Sequence, residues 1–535
     1  TVYGTPYVTV EGVTVSTTDT SYPSVMRLQN GSTHFTLRNS KLLAPETESY
    51  SANVDLFEVH VASDRPQHVS HFVTIDNNVL DGAYNALSMG AQWITNPYET
   101  GDVITNNVFR NQGAKGIYLM DADNVTIKGN VFENNVTGKS DYDAIDITAT
   151  GRNLIEGNTF NLATKNYCTA IYVRSMLSDE AQPSVIANNA IRLAPESTGA
   201  SYAMRFSSAS SNVNVAHNTV SLVGGGSSSA AVMLGDVVKG TFVNNLLQNE
   251  GNGYVWRANK ADYIADAEFK RNVMHTAGTS IAYVAGAISG REDWAETTGD
   301  TTSIDASKAF VSDIELMPAS ADNLNIAEPL SYVTTDITGA TRAAAPTVGA
   351  YEFSDQFPIP AYAEGYPQFV GIANTSATMV VKTTASGMAA VLVKKASEAA
   401  PTSEDVEGSD NIVDVRRGVE TEIALSGLEK STDYKAYSVL YNVKGEKSGV
   451  IVSDVFTTAT DPTQVSTFEN VTTTATGFTD GTAAFKGFEV VTVTDAVVDG
   501  NKVAQVAAGA TGEVTITNSE KGLVLNGFFL KSASA

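Results

Sequence analysis

The sequence has a single cysteine, Cys168, so no disulfide can form within the chain. Only 17% of its 535 residues are charged, and only three are tryptophan. No stretch approaches the roughly 18 apolar residues of a membrane-spanning helix, and the first ten residues lack the basic and apolar regions of a signal peptide. A disulfide-stapled domain is therefore excluded, no transmembrane segment is predicted, and we expect a mature or trimmed chain.

Basic residues are outnumbered, because 34 lysines and arginines face 59 aspartates and glutamates and the formal net charge is −25. This charge repels phosphate backbones, so nucleic acid is not an expected partner. It also repels a polyanionic glycan, unless a local basic patch or a bound cation reverses its sign. An acidic ligand therefore requires a local exception to the overall charge.

Glycine, serine, threonine, asparagine and valine are plentiful, which favours strands and turns. One pattern recurs: an apolar residue, two further residues, an asparagine, one residue and another apolar residue. Successive asparagines are 23 to 31 residues apart, a length that suits one coil of a parallel β-helix. We predict about ten coils, with these asparagines in one row, in the left-handed turn conformation and bonded between coils. The asparagines are Asn78, Asn107, Asn130, Asn158, Asn189, Asn218, Asn245 and Asn272.

A second column of short strands precedes the asparagine-bearing one. Because side chains alternate between the faces of a strand, its apolar residues should point inward and the intervening residues outward. Tyrosine rings and arginine forks on that outer wall suit sugar rings and carboxylates. The predicted catalytic residues are Tyr172, Arg174, Arg205 and Asp146, and the predicted substrate-binding residues are Tyr118, Arg27, Glu58, His60 and Trp256.

Two enzyme mechanisms can be compared with the residues of this wall. β-Elimination of a uronate needs a base and cations that hold the carboxylate, a role that suits Arg174 or Arg205 with Tyr172. The base is not assigned. Calcium is the one candidate cofactor. Its candidate ligands are Asp141 and Asp143, together with Asp146.

Hydrolysis needs paired carboxylates instead. The stretch from Asp143 to Ile147 resembles the polygalacturonase sequence N-T-D-G-I-D-I, but residues 166–171 of the following coil lack the acid pair of that family. The non-functional alternative is an ordinary polar surface, on which Asp146 forms ion pairs with Arg174 or Arg205.

A closing motif follows the repeat, with Asp336, Gly339 and Arg342 spaced as D-x-x-G-x-x-R and then Gly349-Ala-Tyr-Glu352. Together with the repeat, it resembles secreted β-helix proteins of the pectate-lyase-like superfamily from glycan-degrading Gram-negative bacteria. The resemblance covers residues 1–353. It implies an all-β, right-handed parallel β-helix that is secreted or lies on the outer cell surface.

The remaining sequence predicts two small β-sandwich modules behind a proline-punctuated linker at residues 354–367. Residues 368–458 resemble a fibronectin type III module, with Leu428 and Tyr434 matching its corner. Residues 463–535 alternate as strands and are a candidate carbohydrate-binding sandwich. The expected role of the first module is that of a spacer.

The sequence therefore predicts a monomeric, extracellular, glycan-interacting protein. One version is a polysaccharide lyase or hydrolase acting on a uronate-containing polymer, with a lyase preferred. The alternatives are a non-catalytic adhesin or glycan-capture protein, and a purely structural surface stalk.

Overall fold

The structure is a computed structural model that describes residues 1–18, 24–47, 55–60, 69–90, 99–134, 141–312 and 315–459, and the backbone of six strands between residues 472 and 516. The chain is nearly all β and divides into two compact units, Thr1–Gln356 and Phe357–Ala535. The boundary between the two units falls three residues beyond residue 353, the predicted end of the β-helix.

The first unit is a parallel β-helix whose strands stack in three parallel columns, here named sheets A, B and C in chain order. Among the described residues, columns A and B are joined by hydrogen bonds into one sheet of 23 strands, and column C is a separate sheet of 11 strands. Sheet A contains Val2–Tyr3, Ser24–Gln29, Asp55–His60, Asn85–Gly90, Lys115–Asp123, Tyr142–Thr150, Cys168–Leu177, Tyr202–Phe206, Ala230–Leu234, Tyr254–Ala258 and Ala282–Val284. Sheet B contains Thr9–Glu11, Thr36–Arg38, Thr74–Asp76, Val103–Thr105, Thr126–Lys128, Leu154–Glu156, Ser184–Ala187, Ser210–Ala216, Val238–Val243 and Ala267–Lys270.

Sheet C completes each coil. It contains Thr14–Ser16, Lys41–Glu46, Val79–Ala83, Val108–Arg110, Val131–Asn134, Thr159–Leu162, Ala190–Leu193, Thr219–Leu222, Leu246–Asn249, Val273–Thr276 and Ile304–Asp305. Two short strands supplement sheet A, Glu99–Thr100 and the antiparallel Ala287–Ile288. A 3₁₀ turn, Ala261–Ile264, and helix α1, Arg291–Thr298, lie at the later coils.

The predicted asparagine row is confirmed. Asn107, for example, donates from Nδ2 to Oδ1 of Asn130 at 3.0 Å, and its backbone N–H donates to the same oxygen at 3.0 Å. The same side-chain bond links every neighbour from Asn78 to Asn272, and all eight residues are buried. The row therefore satisfies the backbone of the turn between sheets B and C in coil after coil.

One part of the prediction for these asparagines is wrong. The left-handed conformation falls on the residue before each row asparagine, as at Asn77 (φ 53°), Asn106 (φ 56°) and Gly129 (φ 67°). The row asparagine itself is free to turn its amide inward. The residue before each row asparagine therefore adopts the left-handed conformation of the turn, and the buried row asparagine makes the hydrogen bonds between coils.

The interior is filled by stacked apolar side chains at matching positions of successive coils. Phe109, Phe132 and Phe160 lie one above another in sheet C, with ring centroids 4.7 Å apart. This distance matches the ~4.8 Å spacing of hydrogen-bonded strands, so identical residues at one register form a continuous stack.

The closing motif fastens residues 305–353 onto the side of the β-helix. Arg342 is 9% exposed and donates to Oδ1 of Asn188 at 2.7 Å, to the carbonyl of Gly349 at 2.9 Å and to Glu352 at 3.2 Å. Asp336 accepts from the backbone of Thr338 and Glu352. The spacing of this motif is thus explained by a structural clamp.

The second unit contains an antiparallel β-sandwich. One sheet comprises Gln368–Val370, Ser376–Lys382 and Glu420–Ser426. The other comprises Asn411–Val415, Gly387–Lys395, Asp433–Asn442, Ile451–Val452 and Phe456–Thr457. Their inner faces share one core, and helix α2 (Ser403–Glu407) packs on the second sheet. The hydroxyl of Tyr434 accepts the backbone N–H of Glu429 at 2.8 Å, which is the geometry of a tyrosine corner.

The predicted linker is partly integrated into this second unit, because Tyr362 pairs with Thr383 in an antiparallel bridge. Farther along, Thr472–Thr474, Gly477–Asp480, Ala483–Lys486 and Glu513–Ile516 form one antiparallel sheet, and Phe488–Thr492 pairs with Lys502–Val506. The other features predicted for residues 463–535 lie outside the described residues. In the described part of the chain, no helix has the length and apolar character to cross a membrane.

Candidate functional site

The outer face of sheet A presents two rows of side chains, one residue per coil in each row. The strand register aligns Arg27, Glu58, Ser88, Tyr118, Asp146, Tyr172, Arg205, Met233, Arg257 and Tyr283 in the first row. It aligns Ser24, Asp55, Asn85, Lys115, Asp143, Thr169, Tyr202, Ala230 and Tyr254 in the second row. The four predicted catalytic residues lie in neighbouring coils.

Asp146 is at the centre of this face and has no exposed surface. Its Oδ1 and Oδ2 accept from Nε and Nη2 of Arg174 at 2.6 and 2.8 Å, and Oδ2 also receives a short hydrogen bond from Nζ of Lys115. The same ammonium group contacts Asp143 at 3.0 Å. Both oxygens of Asp146 are therefore engaged, and its geometry suits the positioning of Arg174 better than direct proton transfer.

A β-bulge explains how Arg174 reaches Asp146. Ile147 pairs with Val173 but Thr148 pairs with Ser175, so Arg174 is the extra residue in its strand. An extra residue re-aims a side chain relative to strict alternation. The guanidinium consequently reaches back across one coil instead of following its own row.

The guanidinium of Arg174 is the first member of a stack in which arginine side chains alternate with tyrosine rings. Its Cζ lies 4.8 Å from the centroid of the Tyr172 ring, and that of Arg205 lies 4.6 Å from the same ring. Arg205 also lies 5.6 Å from the ring of Tyr202. In the part of the chain that the structure describes, no carboxylate is within ion-pair distance of Arg205. Arg205 acts on Asp141 only through longer-range electrostatics, lowering the pKa of that carboxyl group against the larger effects that raise it. Its N–H groups are therefore not taken up by a carboxylate as those of Arg174 are.

Local electrostatics keep the cations of this cluster protonated. The hydrogen bonds to Asp146 raise the pKa of Arg174. Burial lowers the pKa of Lys115, but the carboxylates of Asp143 and Asp146 outweigh it, so the net shift is upward. Burial raises the pKa of Asp143, against the opposing effect of Lys115, and burial together with Asp146 raises the pKa of Tyr118. The cluster therefore keeps its positive charges at neutral pH.

The outer face is divided by charge. The five sheet A strands from Cys168–Leu177 to Ala282–Val284 contain no aspartate or glutamate. They present what we call the arginine–tyrosine half: Tyr172, Arg174, Tyr202, Arg205, Tyr254, Arg257 and Tyr283. The strands from Ser24–Gln29 to Tyr142–Thr150, which we call the acidic half, carry the carboxylates of this face. In a protein with a net charge of −25, the arginine–tyrosine half is thus a local exception to the overall charge.

At the acidic half, the predicted residues Arg27, Glu58 and His60 lie together but bind one another. Glu58 is 7% exposed and accepts from Nε of Arg27 at 2.6 Å and from Oγ of Ser24 at 3.0 Å. Nδ1 of His60 lies 2.9 Å from its other oxygen, Oε1. The neighbouring Asp55 is buried, which raises its pKa to about 7. The imidazole of His60 is the most exposed side chain of this group.

Trp256 does not lie on the outer face, and its predicted position is wrong. Its side chain is 2% exposed, stacks on Trp294 with centroids 5.6 Å apart, and contacts Phe242 and Phe269 edge to face. The outward residue of that strand is Arg257, which lies 6.0 Å from the ring of Tyr283. Trp256 therefore stabilises the core of the late coils.

The candidate calcium ligands do not fit a cation. Asp143 and Asp146 share Lys115, and both oxygens of Asp146 are occupied. Asp141 is exposed, and its pKa is raised by partial burial and by Asp143. Among the described residues, no group of three histidine, cysteine, aspartate or glutamate side chains is placed to hold a metal ion.

Lys115, Tyr202, Tyr254, Arg257 and Tyr283 extend the face beyond the residues predicted from the sequence. Strict alternation fails because the two rows lie three residues apart, as at Tyr202 and Arg205. A small buried residue occupies the step between them, such as Ala144, Ala170 or Ala203. A Cβ at the equivalent Gly116 would lie 2.6 Å from the carbonyl oxygen of Ala144. The recurring small residue is the sequence signal for the second row.

Comparison with known families agrees with this architecture. Residues 93–274 match the family model described as right handed beta helix region. The match supports the predicted handedness and spans the coils that contain most of the outer face. No curated protein matches the chain significantly.

Proposed function

We propose that the arginine–tyrosine half of the outer face binds an acidic polysaccharide whose sugars carry carboxylates. One observation carries the proposal: five successive strands of a strongly acidic chain present three arginines and four tyrosines and no carboxylate. Guanidinium groups pair with carboxylates in bidentate geometry, and aromatic rings pack against the apolar faces of sugars.

The spacing of the face suits a polymer. Neighbouring coils are ~4.8 Å apart, which is similar to the length of one pyranose unit, so a glycan along the β-helix axis meets a new set of side chains at about every sugar. Arg174, Arg205 and Arg257 lie in separate coils and offer repeated contacts. The family to which residues 93–274 are similar is often linked to polysaccharide-interacting proteins, which supports this choice of ligand.

Binding without cleavage is the version we favour. The central carboxylates Asp143 and Asp146 are engaged by Lys115 and Arg174, so neither is free to activate water or to take a proton. In this proposal the protein is a monomeric glycan-capture protein or adhesin, secreted or on the outer surface of a Gram-negative bacterium. In the same proposal, the sandwich at residues 368–458 is a fibronectin type III-like spacer, and residues 463–535 are a candidate carbohydrate-binding module.

Lyase cleavage is the second candidate function. The observation in its favour is the exposed imidazole of His60, oriented by the nearly buried carboxylate of Glu58. A base oriented by a carboxylate is a recurring arrangement for proton abstraction. It lies at the acidic half, away from the arginines that would hold a uronate.

The test is a panel of polygalacturonate, alginate and a neutral glucan, with binding measured by calorimetry and cleavage followed by unsaturated-product absorbance and reducing ends. We expect the acidic polymers to bind, and Arg205→Ala to weaken binding about tenfold or more. Arg152→Ala is the matched control, because Arg152 is exposed on a turn outside sheet A. Equal binding by wild type and Arg205→Ala would contradict the proposed site.

A further inference from the structure

The closing segment, residues 305–353, lies against the turns between sheets B and C. One residue with a left-handed backbone stands in each of four successive turns: Asn188 (φ 54°), His217 (φ 53°), Asn244 (φ 58°) and Arg271 (φ 54°). Three of these side chains donate to backbone carbonyls of the segment, namely those of Thr335, Glu328 and Ile326 in the same order of coils. His217 is the exception, and it is the member of the set whose charge changes near neutral pH.

His217 is completely buried, and its neighbour Asn244 fixes its protonation state. The segment orients the amide of Asn244, because Nδ2 donates to the carbonyl of Glu328 at 2.8 Å and Oδ1 accepts the N–H of Glu328 at 3.1 Å. Nδ2 therefore also faces Nε2 of His217, at 2.9 Å, as a donor. Nε2 must accept this bond, so the docked imidazole is neutral and has its proton on Nδ1.

The surroundings of the imidazole oppose a positive charge. Burial and the guanidinium of Arg342 lower the pKa of His217 well below its ordinary value, and the backbone groups of Thr347 and Gly349 offset this only in part. Nδ1 makes no well-formed hydrogen bond to any residue that the structure describes. A proton on Nε2 would in addition point at Nδ2 of Asn244, one donor against another. Protonation is therefore unfavourable while the segment is docked.

The carboxylates of the segment are directed to other partners. Glu352 accepts from Arg342, Asp336 accepts from backbone N–H groups of the closing motif, and Glu328 pairs with Lys270 and Arg271. A protonated His217 would thus be a second buried cation beside Arg342, and Glu352 is already paired with that guanidinium.

The turn does not require a histidine at this position. Asparagine occupies the same place one coil earlier, at Asn188, and one coil later, at Asn244, with similar backbone angles. Asparagine also tolerates the left-handed conformation well. His217 therefore adds to this turn a titratable group that the neighbouring coils do without.

We propose that His217 makes the docking of residues 305–353 sensitive to pH, so that protonation of its imidazole releases the segment from the β-helix. Release separates Asn244 from Glu328 and uncovers the apolar surface that Val333 covers, which includes Val185 and Val243. The proposal does not depend on glycan binding, because the segment lies against sheets B and C and the arginine–tyrosine half lies on sheet A.

The direction of the pH effect follows from the two states of the histidine. Once exposed, an ordinary histidine takes up a proton near pH 6.5, whereas docked His217 stays neutral to lower pH. The released form therefore binds the additional proton. Docking is complete above about pH 6.5 and weakens as pH falls below it, by up to about tenfold for each pH unit.

The test is hydrogen exchange of residues 305–353 in the full chain, followed by mass spectrometry at pH 7 and pH 5 and corrected for the intrinsic exchange rate. We expect the opening equilibrium of the wild-type segment to increase about tenfold or more at pH 5. His217→Asn should remove this increase, because asparagine fits the same turn at Asn188. His34→Asn is the matched control: His34 is also left-handed (φ 54°) but is exposed in an early coil, and its loss should leave the increase intact.

Equal exchange of the wild-type segment at pH 7 and pH 5 would overturn the proposal. An increase that persists in His217→Asn would also overturn it, because that variant retains Glu352 and Asp336, whose protonation is the other route by which acid could loosen the segment. If His217→Asn does not fold, an NMR titration of the wild-type imidazole decides. Protonation of His217 and release of the segment must then share one midpoint, and separate midpoints contradict the proposal.

Discussion

Asp146 and Arg174 are 28 residues apart in sequence and are joined by two hydrogen bonds of 2.6 and 2.8 Å across one coil. The carboxylate is fully buried, whereas the guanidinium is 38% exposed and faces the ring of Tyr172. The buried partner therefore fixes the exposed one, so that Arg174 can meet a ligand in a preset orientation with little loss of side-chain entropy.

Asp146→Asn should lower both stability and glycan affinity. The amide cannot balance the charges of Arg174 and Lys115, so we expect a loss of about 3 kcal/mol in the free energy of unfolding, measured by urea denaturation. Affinity for an acidic glycan should fall although the residue itself is buried. Asp143→Asn is the control, because it leaves the pair of Asp146 and Arg174 intact. Unchanged affinity in folded Asp146→Asn would exclude a positioning role.

The repeat was predictable because it depends on residue type and spacing alone. An asparagine at one position per coil has few alternatives to bonding its neighbours, and the structure confirms that row from Asn78 to Asn272. The outer face was predicted less completely. The burial of Asp146 depends on Lys115 and Arg174, and the reach of Arg174 depends on a bulge that the pattern of apolar residues does not encode.

Trp256 is a residue that the sequence analysis assigned to the wrong face of its strand. Alternation in a short strand gives two possible phases, and a large aromatic residue fits either a core or a sugar-binding surface. The structure places Trp256 in the core, aligned with the buried Val232 of the preceding coil and stacked on Trp294 from helix α1. The outward rows three residues apart, here Tyr254 and Arg257, were not recognised in the sequence, and the stacking on Trp294 lies outside the repeat altogether.

The middle of the asparagine row should be sensitive to substitution. Asn158→Ala removes the acceptor of the Asn130 backbone N–H and the donor to the Ile127 carbonyl, leaving both groups buried without partners. We expect a loss of about 3 kcal/mol or more on urea unfolding. Asn106→Gly is the control at a left-handed, exposed position, and a change within about 1 kcal/mol is expected there. Similar losses in both variants would indicate that burial of the row is unimportant.

Glycan binding should depend on salt. If Arg205 and Arg257 hold carboxylates on a partly exposed face, raising the salt concentration from about 0.05 M to about 0.5 M screens the attraction and should weaken binding about tenfold or more. Arg257→Ala should have a shallower dependence than wild type. Calorimetry at several salt concentrations checks both, and salt-independent binding of an acidic polymer would argue for recognition by the tyrosine rings alone.

Asp55 should make the folded state less stable as pH rises. Burial raises its pKa to about 7, so the folded chain keeps a proton that the unfolded chain loses near pH 4. Its contribution is complete below pH 4 and is lost as pH rises through about 7. Asp55→Asn should flatten the fall in melting temperature between pH 4 and 7. An unchanged pH profile in Asp55→Asn would show that this carboxyl group titrates normally.

The clamp formed by Arg342 should hold residues 305–353 against the β-helix. Arg342→Ala leaves Oδ1 of Asn188 and the Gly349 carbonyl without a buried donor, so we expect about 3 kcal/mol of destabilisation and faster cleavage within this segment in limited proteolysis. Arg342→Lys keeps the charge but cannot reproduce the forked contacts, and it should give an intermediate result.

Arg152→Ala provides an exposed control for the Arg342 variants. Because the clamp touches sheet C and the turn before it, glycan binding on sheet A should survive. Equal protease resistance in wild type and Arg342→Ala would mean that the apolar contacts of Val348 and Tyr351 hold the segment without the clamp.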